Sequence, residues 1–150
     1  MHNLPLILIV DNEKDFLDIM TTKLEAAGFA TASAQGGDEC LKKTRELNPD
    51  LILLDVVMPK VDGITTINNL KGDQELKNIK VVLLSSFASS EPDQYQKERE
   101  RAIKAGAIDF FVKTDDLNKI AEKIKELFQI KQITWLLRTC FAEINGKNCS

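Results

Sequence analysis

The segment Leu51-Ile52-Leu53-Leu54-Asp55-Val56-Val57-Met58-Pro59-Lys60-Val61-Asp62-Gly63 runs from four apolar residues into an acid and then into a loop carrying Pro and Gly. An unbroken apolar run of that length suits a strand buried on both faces of a parallel sheet. Comparable runs lie on either side of it, at Leu6–Val10, Phe29–Ala34, Val81–Leu84 and Phe110–Val112. Amphipathic stretches separate them. Phe16, Ile19, Met20, Leu24 and Ala27 share one helical face, with Gly28 as its stop. Cys40, Leu41 and Leu47 mark a second helix closed by Asn48-Pro49, and Ile64, Ile67 and Leu70 a third. A fourth spans about Pro92 to Ala105 and ends at Gly106; Leu117, Ile120, Ile124 and Leu127 stripe a fifth, N-capped by Asp115 or Asp116.

Strand and helix alternating five times predict an α/β fold with an open, doubly wound sheet and helices on both faces. Ligands of such sheets sit beyond the carboxyl ends of the strands. The first run opens into Asp11-Asn12-Glu13, the third into Asp55, the fourth into Ser85-Ser86 and the fifth into Lys113-Thr114. One acid after a strand is commonly a helix cap. Four strands each delivering a polar group to one crevice point to chemistry. Clustered carboxylates repel, and a shared hard cation offsets that cost. Magnesium, or manganese, suits oxygen ligands and brings phosphates to carboxylates. A carboxylate can attack phosphorus, while a lysine and a metal neutralise the developing charge.

Composition narrows the classes further. The chain has 150 residues, 43% hydrophobic and 29% charged, with a formal net charge of -3. That size fits one domain with an ordinary core, and that charge marks no nucleic-acid or membrane surface. No apolar run approaches the roughly 20 residues of a membrane span, and no signal-peptide pattern opens the chain, so a cytoplasmic location is expected. Cys40, Cys140 and Cys149 are odd in number and widely spaced, unlike a disulfide framework or a zinc site. The single histidine, His2, reads as exposed and inert, which leaves no histidine-based catalysis.

With the D-x-x-M-P-x-x-D-G segment complete from Asp55 to Gly63, the acidic turn at Asp11, Ser85, Lys113 and the Ala105-Gly106-Ala107 turn all in order, the chain resembles a response-regulator receiver domain over about residues 4–128. The resemblance implies a flavodoxin-like sheet of strand order 2-1-3-4-5 and a two-component signalling role rather than an enzyme's. Only self-directed phosphotransfer and autodephosphorylation would be expected. It implies Asp55 as phosphoacceptor and Lys113 as its partner. Asp11, Asn12, Asp55 and the main-chain carbonyl of Val57 would form the metal site, and Ser85 and Phe110 a switch pair. The implied partners are a sensor histidine kinase or phosphotransfer protein, and a downstream protein or missing output domain, with no direct nucleic-acid or membrane contact.

The chain departs from that family at two positions. A second acid usually stands where Asn12 does, and Glu13 is expected to point elsewhere. Proline usually follows the lysine, often in a cis bond; here Thr114 follows, and a non-proline cis bond costs about 3–4 kcal/mol, so trans is expected. Gly63 is expected to take a positive φ, Asp62 to be a turn residue, Met58 a packing residue, and Asp50 to lie at the wrong end of the sheet. The fourth helix is polar, with Lys97, Glu98, Arg99, Glu100, Arg101 and Lys104 on a solvated face. Beyond Phe128, Ile130, Ile133, Leu137 and Phe141 continue the stripe of the fifth helix near a 3.5-residue seam. Residues 129–150 read as a dimerising helical extension, a linker stub or a non-native tail. Two further readings stay open. Asn12 suits a pseudo-receiver that binds partners without phosphorylation. A haloacid-dehalogenase-like phosphatase also uses aspartate, lysine and magnesium, but it needs D-x-D after its first strand, where Glu13 holds the third position, and a cap domain.

Overall fold

The computed structural model of the chain describes residues 4–57, 62–86, 92–113 and 116–128. Five strands, β1 (Leu6–Val10), β2 (Ala30–Ala34), β3 (Leu51–Asp55), β4 (Lys80–Ser85) and β5 (Asp109–Val112), pair in parallel in the order β2-β1-β3-β4-β5. The helices α1 (Lys14–Ala26), α2 (Gly37–Leu47), α3 (Gly63–Gly72), α4 (Pro92–Ala105) and α5 (117–128) fill the intervals. β1 and β3 are buried along their whole length because neighbours cover both edges and helices cover both faces. β2, at the edge, is the mixed strand Ala-Thr-Ala-Ser-Ala and is only partly buried until Ala34.

Alternation divides the core. Leu8, Val10, Ile52, Leu54, Val81, Leu83 and Phe110 pack with residues of α2, α3 and α4. Ile7, Ile9, Leu51, Leu53, Val82, Leu84 and Phe111 pack with α1 and α5. The observed strands exceed three of the expected runs because ladder pairing carries Asp55 opposite Leu84, Lys80 opposite Leu51 and Asp109 opposite Val82.

Helix ends follow local chemistry. Gly28 takes φ +99 after α1, Asn48 takes φ 47 before Pro49, and Gly106 takes φ +110 after α4. Asp62 caps α3 by accepting the Thr65 N–H at 2.7 Å, and Asp116 accepts the Asn118 N–H at 3.0 Å at the start of α5. Asp115, Thr114 and Met58 lie outside the described residues, so the bond after Lys113 does too. Asp50 Oδ2 accepts the Leu6 N–H at 2.7 Å, tying β1 to β3 at the amino end of the sheet.

Two expectations need correction. Ile19 is 46% exposed, and Leu17 occupies the inner face instead. With 3.6 residues per turn, Leu17 falls about 60° from the centre of the Phe16–Met20–Leu24 stripe and Ile19 about 100° from it. Gly63 is not among the described glycines with positive φ. It is needed for close approach: a Cβ there would collide with the Asp55 carbonyl oxygen and stand 2.7 Å from Val56 Cα. Its N–H donates to the Val56 carbonyl at 2.8 Å, which draws the start of α3 against the end of β3.

Candidate functional site

Three strand ends place charged side chains at one point. The Asp11 N–H donates to Ala34 O at 3.0 Å and the Lys113 N–H to Ser85 O at 2.7 Å, so both residues continue the ladders of β1 and β5. Alternation then puts Asp11, Asp55 and Lys113 on the α1/α5 face, two residues beyond Ile9, Leu53 and Phe111. The Lys113 ammonium pairs with Asp11 Oδ2, stands 3.2 Å from Asp55 Oδ2, and lies 3.7 Å from Glu13 Oε1. Beneath it is the Phe16 ring, 4.7 Å from Nζ to centroid. The Asp11 and Asp55 side chains are 0% and 2% exposed and that of Lys113 8%.

The electrostatics follow from that burial. Asp55 is pushed up to about 6, first by desolvation and then by the negative charge of Asp11, against the pull of Lys113 and the Val57 N–H, which donates to Asp55 Oδ1 at 3.2 Å. Lys113 is raised: burial disfavours its charge, but Asp11 and Asp55 together outweigh that cost. Two buried carboxylates around one ammonium leave the cleft one negative charge in excess. Asp11 Oδ1 accepts the Glu13 N–H at 2.9 Å, whereas its Oδ2 is buried and has no partner among the described residues other than the ammonium. An acid-rich cleft in which one ammonium serves two buried carboxylates fits a hard divalent cation. Among the described residues no three Asp, Glu, His or Cys side chains are grouped as a metal cage, so neutral oxygens and water would complete the shell.

The other expected residues are placed as follows. Ser85 is buried at the end of β4, and Phe110 is buried in β5 one register step back, opposite Leu83. Alternation puts both on the α3/α4 face, across the sheet from the carboxylates. Asn12 is exposed, and Val57 is 62% exposed just past Asp55. Glu13 differs from its expectation, since its carboxylate turns toward Lys113 rather than away. Three participants are not marked by the motif. Phe16 reads as ordinary core from its spacing, yet it floors the ammonium. Tyr95 of α4 packs against Phe110 with the rings tilted by 56° and their centroids 5.7 Å apart, and its place in a polar helix hid it. Glu13 is the third.

The profile of the family described as the response regulator receiver domain matches residues 7–125. The chain is 29% identical over 126 residues to the DNA-binding dual master transcriptional regulator RpaA of Synechocystis, covering 84% of this chain and 50% of that protein. It is 30% identical over 119 residues to the polar-differentiation response regulator DivK of Brucella ovis, covering 79% of this chain and 92% of DivK. It thus spans about half the length of RpaA and most of the length of DivK. Among solved structures, the receiver domain of the Francisella response regulator 1452 superposes with a TM-score of 0.73 at 26% identity, covering 85% of this chain and 98% of that one. The signal receiver domain of a Syntrophus aciditrophicus signal transduction histidine kinase does so with 0.70 at 31% identity, over 83% and 90%. With the β2-β1-β3-β4-β5 sheet, the polar strand ends and the family match falling on one stretch of chain, this protein belongs to the response-regulator receiver family.

Proposed function

We propose that this domain accepts a phosphoryl group on Asp55 from a phosphohistidine of a sensor kinase or phosphotransfer protein, and that the modified state is read by a partner. The observation that carries the reading is the convergence of Asp11, Asp55 and Lys113 from β1, β3 and β5 on one buried point. An Asp55 carboxylate oxygen attacks phosphorus, the P–N bond to the donor histidine breaks, and an acyl phosphate forms. Burial strips water from that carboxylate and raises its basicity, and ionisation near 6 leaves it mostly charged at neutral pH. Lys113 neutralises charge on the transferring group. Asp11, Asp55, the Asn12 side-chain oxygen and the Val57 carbonyl are the residues that would hold magnesium or manganese, and the metal when bound would stabilise phosphoryl oxygens.

The same reading assigns the response. Once the phosphoryl group is in place the Ser85 hydroxyl donates to one of its oxygens, and Phe110 passes the change to α4 through Tyr95. The face made by α4, β5 and α5 then reports to a downstream protein or to an output domain of a longer chain. Phosphorylation adds about -1.5 to -2 charges at neutral pH, enough to bias such a two-state element. One observation favours the pseudo-receiver alternative: Asn12 stands where a second acid would strengthen the metal site.

Beryllium fluoride, which mimics the bound phosphoryl group, separates the two. With magnesium present, amide shifts are expected at Asp55 and along α4, β5 and α5. No shift at any ratio of reagent to protein supports the pseudo-receiver, and shifts confined to the metal pocket contradict the switching part of the reading.

A further inference from the structure

The Lys113 ammonium pairs with Asp11 Oδ2 and stands 3.2 Å from Asp55 Oδ2, so it fills the space between the two buried carboxylates. A divalent cation held by the same carboxylates needs that space. Like charges at such separation repel strongly where water is excluded, so the ammonium must withdraw as the cation enters. The Asp11 side of the contact is the one to be exchanged. Its Oδ2 is fully buried, has no partner among the described residues other than the ammonium, and gains the most from a doubly charged one.

The ammonium has few places to go. Its side chain is 8% exposed and rests on the Phe16 ring, which blocks retreat toward α1. Glu13 is the open direction. Glu13 Oε1 is already 3.7 Å from Nζ, and its side chain is 62% exposed, so it holds its charge at the rim without deep desolvation. Its backbone is fixed by the donation of its N–H to Asp11 Oδ1 and by acceptance of the Leu17 N–H at 3.1 Å. The Glu13 backbone is therefore anchored beside the lysine, and its carboxylate stays within reach of the ammonium. Glu13 does not join Asp11 and Asp55 in any group of three acids spaced to hold a metal, which separates it from the ligands.

We infer that Glu13 receives the displaced Lys113 ammonium when a divalent cation takes Asp11, and so supplies, through the lysine, the acidic charge that Asn12 does not. Glu13 is in this sense a positioning residue. The inference rests on the metal-assisted reading above and concerns how this chain tolerates Asn12.

The test is magnesium affinity by amide-shift titration of the intact chain, in the absence of any phosphodonor, for the wild type, Glu13→Gln, Lys113→Gln and the double variant. Glu13→Gln is expected to weaken magnesium by about three- to fivefold, the range that an ion pair at a half-exposed site supplies. In the Lys113→Gln background the same substitution is expected to change affinity by less than about twofold, because its effect travels through the lysine. Equal losses in both backgrounds would make Glu13 a ligand and overturn the inference, as would unchanged or tighter binding by Glu13→Gln. A wild type that binds no magnesium removes the metal-assisted reading itself, and the inference with it. If Lys113→Gln does not fold, the side-chain ammonium resonance of Lys113 decides. It should stay protected from solvent exchange after magnesium is added to the wild type and broaden in Glu13→Gln; identical behaviour in the two proteins contradicts the assignment.

Discussion

Asp55 is a carboxylate that the fold holds at a cost. Its folded value of about 6 lies above its ordinary 3.8, so the folded state binds its proton more tightly than the unfolded chain does. The stabilisation from that proton is complete below about 3.8 and is lost as pH rises through about 6. Asp55→Asn removes the loss, and Lys113 keeps Asp11 as a partner. In metal-free buffer at pH 7.5 the variant should be more stable than the wild type by on the order of 1–2 kcal/mol, with the difference vanishing near pH 4. Urea melts at both pH values check this; a wild type more stable than the variant at pH 7.5 would mean that Lys113 compensates Asp55 fully. Asn12 sets the strength of the metal site from the other side. An added carboxylate there gains roughly 4 kcal/mol of attraction at about 4 Å before desolvation, most of which cancels, so Asn12→Asp should tighten magnesium about tenfold. Asp11→Asn should weaken it. A magnesium titration in which Asn12→Asp binds no better would remove Asn12 from the metal. The identities of Asp11, Asp55 and Lys113 were legible because each follows an apolar run directly. The direction of Glu13 and the role of Phe16 were not, since spacing places a residue on a loop or a stripe without saying which charge its side chain meets.

α3 starts against the backbone that carries Asp55, and in the proposed response α4 reports the state of the site. Gly63 lets α3 start against the backbone of Asp55 and Val56, so Gly63→Ala forces β3 and α3 apart. The expected loss is about 1–3 kcal/mol, the usual result of overpacking, read from denaturant melts, together with disturbed amides at Asp55. Stability equal to wild type would show that the loop accommodates the methyl group. α4 buries only Ala102 fully, and Tyr95 on Phe110 is its one ring contact with β5 among the described residues. Tyr95→Ala should therefore keep the fold while cutting the beryllium fluoride shifts of α4 relative to those of the metal pocket. Undiminished α4 shifts would route the signal elsewhere. The strands and helices of this fold were readable because buried parallel strands are apolar without interruption and Gly or Asn-Pro closes α1, α2 and α4. Ile19 was misplaced because several helical faces fit a short apolar list until the neighbouring sheet selects one. Gly63 was read as a turn glycine because a positive φ and a close approach leave the same mark in a sequence.

At the scale of the whole molecule, the α1/α5 side closes over Phe29 and Phe128, whose rings lie 5.2 Å apart between centroids. Phe128 thus packs into the α1/α5 side of the core. Truncation after Phe128 should leave the melting behaviour of the receiver intact and lower its association state, if the apolar stripe through Ile130, Ile133, Leu137 and Phe141 pairs with a second copy. Sedimentation of both lengths measures this; equal masses would show that the segment does not associate. The five-stranded sheet brings the ends of β1, β3 and β5 together, and one measurement tests directly whether that convergence performs the proposed phosphotransfer. Intact-mass analysis after incubation with acetyl phosphate and magnesium should show one added phosphoryl group on the wild type and none on Asp55→Asn. Labelling that survives in Asp55→Asn, or a wild type that stays unlabelled, would contradict the account.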